Sequence, residues 1–284
     1  MSTGAPTLGV VAIAKNEELD MPGFLRHLQP WVDEIVIVDD ASTDRTAEIV
    51  RAAGENVKLI AHRMTKDGFS GQRNAGIAAA TSEWLLHMDI DERVTPQLAA
   101  EIESAIGVTR HHAYRYRRLN FFLHRPMRAG GWQYWNNPQL ARRGKHQFRN
   151  VIHEACVIEG GEGAIGQLEG LMWHLNDEDY VERVGKNLRY MQFSGDQILE
   201  RGFRIRWYHI LFHPLYRACK SYFLERGFTA GTRGLIFALH TFAGTFNWWA
   251  YAWDRQNRLQ RDGLDESLQR MWDESSLSRR RTDG

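Results

Sequence analysis

Short apolar runs alternate with amphipathic segments along the first 110 residues. Patterns of buried strands cover residues 8–14 (LGVVAIA), 34–38 (EIVIV), 57–61 and 84–88. Helical patterns lie between them: one runs through Leu28, a second spans residues 46–54, and a third, rich in small residues, spans 71–80. Strands that alternate with short helices predict an α/β fold, a mostly parallel sheet flanked by helices.

The pattern changes from about residue 113 onward. Residues 113–123 (AYRYRRLNFFL) partly alternate, which favours a strand, and residues 146–160 indicate a further pair of strands. Residues 128–144, rich in Gly, Trp and Asn, are typical of a binding loop. From Asp177 the pattern is helical: a long amphipathic helix is predicted over 177–202, followed by aromatic segments interleaved with Arg, Lys and His. The tail, residues 273–284, is predicted to be disordered.

Polar residues stand where three of the predicted strands end. Ligands of open α/β sheets bind at the carboxyl ends of the strands, so three polar strand ends in register indicate a single site. These ends are Asn16-Glu17, Asp39-Asp40 and Asp89-Ile90-Asp91.

The third strand end, Asp89-Ile90-Asp91-Glu92, places three carboxylates within four residues. Such a cluster repels itself unless a cation neutralises it, and Mg²⁺ or Mn²⁺ takes carboxylate oxygens together with substrate phosphates. The alternative is an acidic helix N-terminus, because Thr95-Pro96 is able to open a helix and acidic residues before it suit the helix dipole. The polar ends of the upstream strands favour the metal–diphosphate interpretation.

Composition limits the classes of partner. The 284 residues fit one large domain or a domain with an appendage, and a formal net charge of +1 gives no reason to expect nucleic acid. Cys156 and Cys219 lie far apart without metal-ligand spacing, which favours a reducing compartment. The first 18 residues lack the basic region of a secretory signal, and no apolar stretch has the length of a transmembrane helix.

Three motifs, in this order and spacing, resemble the family 2 glycosyltransferases. They are AIAKNEE (12–18), VDDASTDRTAEIV (38–50) and GFSGQRNAGIAAATSEWLLHMDIDE (68–92), and the resemblance spans roughly residues 8–110. Residues 150–255 are more narrowly similar to bacterial transferases of the lipopolysaccharide-core glucosyltransferase type. The motifs that carry this second resemblance are HEACVIEG (153–160), MWHLND (172–177) and ERGFTAGTRGLIFAL (225–239).

The resemblance implies a GT-A fold over residues 1–175, with a nucleotide-sugar half (1–110) and an acceptor half (111–175). Residues 176–284 would form a helical, aromatic and basic extension. The implied reaction is an inverting hexosyl transfer from a UDP-sugar, with UDP-glucose as the leading donor, to a saccharide of a lipid-linked envelope glycan such as the lipopolysaccharide inner core. The alternatives are a protein, polyprenyl-phosphate or capsule acceptor, or a non-catalytic module that binds nucleotide sugars.

The family also implies a divalent-metal site, with Mn²⁺ or Mg²⁺ held by Asp91 and with Asp89 beside it at the donor. The ion would neutralise the departing diphosphate as a Lewis acid. His174 is a candidate third ligand, although a lone His in an apolar segment is often a core residue instead. The chain departs from the family pattern at Glu92, where many members have Asp.

On the nucleoside side, the family position that reads the uracil or the ribose corresponds to Asp40. Asn16 and Glu17 follow the first strand, where it meets the nucleoside. Arg73 lies where the family places a positive charge near the diphosphate.

Inversion requires a base for the acceptor hydroxyl, and a carboxylate in a cleft is the usual candidate. Glu154 falls where the family places its catalytic acid. The alternative for Glu154 is a strand residue paired with an arginine such as Arg149, and His153 would orient the base or be purely structural.

Aromatic residues suggest two further contacts. Trp132, Tyr134 and Trp135 either stack on a sugar face or only pack together. The aromatic and basic helices after Trp207 are either core and homodimer contact or an interfacial surface, with Trp and Tyr at headgroup depth. A glycolipid acceptor favours the second interpretation, which places the protein in the cytoplasm, peripheral on the inner membrane.

Overall fold

The computed structural model describes residues 5–108, 110–132, 135–150 and 154–275. The chain divides into two compact units, Met1–Tyr180 and Val181–Gly284. Residues 276–284, most of the predicted disordered tail, lie outside the described residues, and so do Tyr134 and His153.

The first unit opens with four parallel strands in the order β3-β2-β1-β4. The strands are β1 (Leu8–Ala14), β2 (Glu34–Asp39), β3 (Val57–Ala61) and β4 (Trp84–Met88), and the helices between them are α1 (Met21–Leu28), α2 (Thr46–Arg51) and α3 (Gly68–Ala79). β1, β2 and β4 are apolar on both faces because helices cover the sheet, as in other parallel sheets. α3 packs closely on β1, since a Cβ at Gly76 would lie 2.4 Å from Val11 Cγ1.

The second half of this unit extends the same sheet with mixed pairing, in the order β4-β8-β6-β11-β5. Its elements are β5 (Glu92–Val94), α4 (Pro96–Val108), β6 (Ala113–Phe122), β7 (Arg125–Pro126), β8 (Pro138–Arg142) and β11 (Ile165–His174). A separate hairpin joins β9 (His146–Arg149) to β10 (Ala155–Ile158), which confirms the predicted strand pair.

β8 corrects the last part of the binding loop predicted over residues 128–144, because residues 138–142 form a strand. Its residues Gln139, Leu140 and Ala141 are buried, and it pairs antiparallel with both β4 and β6. The Gly, Trp and Asn content around it is typical of a loop. Pairing with two neighbouring strands overrides that local preference.

The second unit is helical. It contains α5 (Tyr180–Leu199, which begins at the last residue of the first unit), α6 (Trp207–Cys219), a π-helical turn (Lys220–Leu224), a 3₁₀ turn (Gly227–Ala230), α7 (Thr232–Asn257) and α8 (Arg261–Glu274). A small core forms around Ile198, Ile205 and Trp249. Among the described residues, no helix is both long and apolar enough to cross a membrane.

The long helix predicted over 177–202 is therefore confirmed as α5, and the predicted α/β class with a helical C-terminal part is confirmed as a whole.

Candidate active site

The acidic cluster lies at the carboxyl end of β4, beside three strands of the mixed half-sheet. Glu92 begins β5, which runs antiparallel to β11, so Glu92 is opposite His174. β11 runs parallel to β6, and there His174 is opposite Asn120. Three residues far apart in sequence therefore stand side by side across three strands, next to Asp89 and Asp91.

α4 begins only at Pro96, after β5, and it has no acidic residue in its first turn. The alternative of an acidic helix N-terminus is therefore wrong for this cluster.

Asp89, Asp91 and His174 form a group with the size of a cation site. One ligand atom from each of the three residues lies within 4.8 Å of the other two. His174 Nε2 lies 3.2 Å from Asp91 Oδ2, and His174 Nδ1 lies 2.7 Å from Asn120 Oδ1. Carboxylate oxygen and imidazole nitrogen suit Mn²⁺ and related ions, so the residues present fit the predicted metal.

Two arginines donate hydrogen bonds to Asp89, one to each carboxylate oxygen. Arg73 Nη2 donates to Asp89 Oδ1 over 2.7 Å, and Arg118 Nη2 donates to Asp89 Oδ2 over 2.8 Å. Arg118 Nε also forms an ion pair with Glu92, whose other oxygen accepts the backbone N–H of Asp89. The side chains of Arg73, Arg118 and Glu92 are 4%, 12% and 0% exposed. Water hardly reaches these charged groups, so their ion pairs with one another replace the lost hydration.

Burial and pairing shift the pKa values of the cluster in different directions. Burial would raise the pKa of Asp89, but Arg118 and Arg73 hold it far below its usual range. Complete burial, reinforced by the charge of Asp89, raises the pKa of Glu92 against the opposing effect of Arg118. Burial would lower the pKa of His174, and the hydrogen bond and charge of Asp91 outweigh burial and raise it.

Glu154 joins this network through Arg73. Arg73 Nε donates to Glu154 Oε1 over 2.9 Å, so the partner of Glu154 is Arg73 rather than Arg149. Helix α3, which contains the RNAG motif (residues 73–76), explains how Glu154 comes to lie beside Arg73. On α3, Asn74 accepts from the N–H of Phe148 and donates to its carbonyl, which fixes the hairpin whose strand β10 begins just after Glu154.

The network faces an open cleft of about 440 Å³. Its lining combines charged, amide and aromatic side chains: Ile13, Phe69, Arg73, Asp89, Arg118, Trp135, Asn137, Gln139 and Glu154.

The predicted nucleoside residues lie in a second network, at the ends of β1 and β2. Asp40 accepts from Lys15 Nζ (2.8 Å) and from the N–H of Met64 (2.6 Å). Asn16 has a left-handed backbone (φ 58°), and its Oδ1 accepts the N–H of Thr43. These bonds join the two strand-end loops.

The N–H of Glu17 donates to Thr46 Oγ1 over 2.7 Å, so the same network extends to the start of α2. The structure thus places Arg73, Asp89 and Glu154 on the cleft and groups Asp91 and His174 with Asp89. Asn16, Glu17 and Asp40 lie in the strand-end network.

Sequence reasoning missed Arg118 and Asn120. Both lie on β6 two positions apart, so they share a face of the sheet, and the alternation in YRYRRLN was the available signal. Trp135 stacks on Arg118, whose Cζ lies 3.8 Å from the ring centroid. A Trp135 contact with sugar stays a prediction.

Comparison with known proteins identifies the family. The profile of Glycosyl transferase family 2 matches residues 9–158. The chain belongs to this family. The predicted glycosyltransferase activity and GT-A-type fold are therefore confirmed.

Full-length relatives agree with this assignment. The chain is 26% identical over 273 residues to the lipopolysaccharide core biosynthesis glycosyltransferase LpsC of Rhizobium meliloti, covering 92% of this chain and 97% of LpsC. An uncharacterized glycosyltransferase of Rickettsia typhi is 24% identical over 241 residues, 79% of each chain. The crystal structure of S. aureus TarS 1-349 superposes with a TM-score of 0.44 at 18% identity, covering 90% of this chain and 95% of TarS 1-349, a likeness too loose to inform the site.

The buried pairing of Arg118 yields a stability prediction. Arg118→Met should lower the free energy of unfolding by about 3 kcal/mol, because it leaves the buried carboxylate of Glu92 without its arginine and removes one of the two arginines that hold Asp89. Adding Glu92→Gln should recover part of that loss by removing one unpaired charge. Urea denaturation followed by circular dichroism measures both variants. Arg117→Met, at an exposed ion pair on the same strand, is the control and should cost under about 1 kcal/mol. If the loss of stability in the double variant equals the sum of the losses of Arg118→Met and Glu92→Gln, the pairing of Arg118 with Glu92 is contradicted.

Proposed function

We propose that this family 2 glycosyltransferase is an inverting, metal-dependent enzyme that uses a UDP-sugar, with glucose as the first candidate. Its proposed acceptor is a saccharide of a lipid-linked envelope glycan, of the lipopolysaccharide-core class to which the relative LpsC is assigned. The observation that carries the proposal is the group of Asp89, Asp91 and His174 beside a cleft with two arginines.

The donor set supports a resident divalent cation. Asp91 and His174 would hold it, with Asp89 at its side. The carboxylates of the cluster outnumber its two arginines, Arg73 and Arg118, and a cation relieves that excess of negative charge. When bound, a divalent ion supplies Lewis-acid stabilisation to a departing diphosphate.

The two arginines would bind the diphosphate itself. Asp89 fixes both guanidinium groups before substrate arrives, and donors that are already oriented stabilise developing charge without reorganisation. Among the described residues, Arg73 Nη1 is buried without a hydrogen-bond partner, and Arg73 lines the cleft. A phosphate oxygen is a suitable acceptor for it.

Glu154 would act on the acceptor side. Arg73 holds Glu154 Oε1, whereas Oε2 has no hydrogen-bond partner in the described part of the chain. This arrangement orients the carboxylate and leaves one oxygen for the attacking hydroxyl. Direct displacement then needs only that Glu154 removes the hydroxyl proton while the diphosphate leaves from the opposite face of the sugar.

Nucleoside binding is proposed for the strand-end network. Asp40 would exchange its bonds to Lys15 and Met64 for bonds to uracil or ribose, with Asn16 and Glu17 beside it. In this proposal residues 1–110 bind the nucleotide-sugar donor and residues 111–175 bind the acceptor. Residues 176–284 form the helical extension.

The helical extension is proposed to touch the cytoplasmic face of the inner membrane. On α6, the side chains of Trp207, Phe212 and Tyr216 are 69%, 55% and 61% exposed. Residues 201–230 carry six Arg or Lys residues and one acidic residue, Glu225. Exposed aromatics next to basic residues suit the headgroup layer of an anionic membrane.

The metal assignment predicts the behaviour of Asp91→Asn. The variant should lose Mn²⁺-dependent binding of UDP, and kcat should fall roughly 10²–10³-fold because charge stabilisation at the leaving group is removed. Isothermal titration of UDP with and without Mn²⁺, together with release of UDP from UDP-glucose, measures both effects. Glu103→Gln, at an exposed position of α4, is the matched control. Normal turnover by Asp91→Asn would show that the metal is held elsewhere or is not needed.

The base assignment predicts a separation of chemistry from donor binding. Glu154→Gln keeps the shape of the side chain and removes its charge, so kcat should fall by roughly 10²–10⁴-fold. The affinity for UDP-sugar should change little, because the donor is held by other residues. Joint loss of donor binding and activity would assign Glu154 to the donor site or the fold. Near-normal turnover would move the base to another carboxylate, first Asp177 or Glu178.

The membrane contact predicts co-sedimentation with anionic liposomes at low salt. High salt should weaken it, because the electrostatic part of the attraction is screened. Trp207→Ser with Phe212→Ser should release the protein, whereas Leu19→Ser, at a 75% exposed apolar position of the other unit, should have no effect. Protein that remains in the supernatant at low salt would assign this surface to core or dimer contact instead.

A further inference from the structure

Asn120 stands between the proposed cation site and the main chain at Trp132. Its Nδ2 donates to the carbonyl oxygen of Trp132, and its Oδ1 lies 2.7 Å from His174 Nδ1. On the other side of the imidazole ring, His174 Nε2 lies 3.2 Å from Asp91 Oδ2. The first two contacts are hydrogen bonds in one chain, and the third is a close approach that becomes a hydrogen bond only when His174 Nε2 carries a hydrogen.

The direction of every bond in this chain follows from its first member. A backbone carbonyl only accepts, so the amide nitrogen of Asn120 must face Trp132 and the amide oxygen must face His174. That oxygen also only accepts, so His174 Nδ1 must carry a hydrogen. In the neutral ring the lone pair is then on Nε2, the nitrogen next to Asp91.

We propose that Asn120 is a positioning residue that holds His174 in the Nδ1–H tautomer with Nε2 directed at the cation. The assignment rests on the proposed cation site, and it adds a residue outside the ligand set. Partners of this kind fix the orientation of a ligating imidazole, and their loss commonly costs about 10–100-fold in metal affinity.

A neighbouring contact on β6 belongs to the same arrangement. Arg118, two residues before Asn120, bonds Asp89 and stacks on Trp135. Asn120 and Arg118 thus connect opposite members of the cation cluster, His174 and Asp89, to Trp132 and Trp135 of the chain that follows β7. One face of β6 thus positions the cluster and contacts the segment that follows β7.

The test measures Mn²⁺ affinity directly, from the electron paramagnetic resonance signal of free Mn²⁺ in the presence of UDP. Asn120→Ala should weaken binding by about 10–100-fold. Asn120→Asp should recover part of the affinity, because a carboxylate still accepts from His174 Nδ1 although its second oxygen opposes the Trp132 carbonyl. Asn136→Ala is the control, since the amide of Asn136 bonds Gln167, outside the cluster.

A second readout reports the tautomer itself. In protein saturated with Mg²⁺ and UDP, ¹⁵N–¹H correlation spectra of the imidazole rings should show His174 protonated at Nδ1 in wild type and in Asn120→Asp. The resonance is assigned by its absence in His174→Gln. Asn120→Ala should shift the population toward Nε2–H.

The outcomes separate this proposal from the proposed function. If Asn120→Ala binds Mn²⁺ like wild type while Asp91→Asn does not bind it, the cation site stands and the role of Asn120 is overturned. An Nε2–H tautomer in wild type overturns that role even if Asn120→Ala fails to fold. If wild type itself does not bind Mn²⁺ with UDP, the cation site and the role of Asn120 both fall.

Discussion

Two arginines with little access to water, Arg73 and Arg118, impose the constraint on which the site depends. A guanidinium group taken out of water is costly unless carboxylates surround it in good geometry. Arg73 is therefore paired with Asp89 and Glu154, and Arg118 with Asp89 and Glu92. Because these residues come from different elements, satisfying the two charges also fixes where those elements meet.

The consequences extend across the first unit. α3 supplies Arg73, the end of β4 supplies Asp89, β6 supplies Arg118, and Glu154 immediately precedes β10. Asn74, next to Arg73 on α3, holds the hairpin of β9 and β10 through its bonds to Phe148. The ion pairs of Arg73 and the hydrogen bonds of the Asn74 amide thus bring Glu154, the proposed base, close to Asp89.

The same arrangement is better suited to chemistry than to stability. A packed apolar cluster of similar volume is often as stable as a buried ionic one, or more so. What buried charges provide is orientation: donors and acceptors already stand where charge will develop, so little reorganisation is needed during the reaction. Burial and the charge of Asp89 raise the pKa of Glu92 against the opposing effect of Arg118.

Local patterns in the amino-acid sequence determined the parallel half of the fold. Apolar runs predicted β1, β3 and β4 at their observed limits. For β1 and β4 the reason is that a strand buried on both faces needs no partner-specific feature to be recognised. The acidic strand end also followed from the sequence, and the motifs of the family resemblance named Asp91, His174 and Glu154 as candidates. Tertiary structure alone decided that β8 is a strand, that Glu154 pairs with Arg73, and that Arg118 and Asn120 face the cluster. These outcomes depend on sheet register between distant segments, in which a shift of one residue reverses every side chain, and no local period encodes that register.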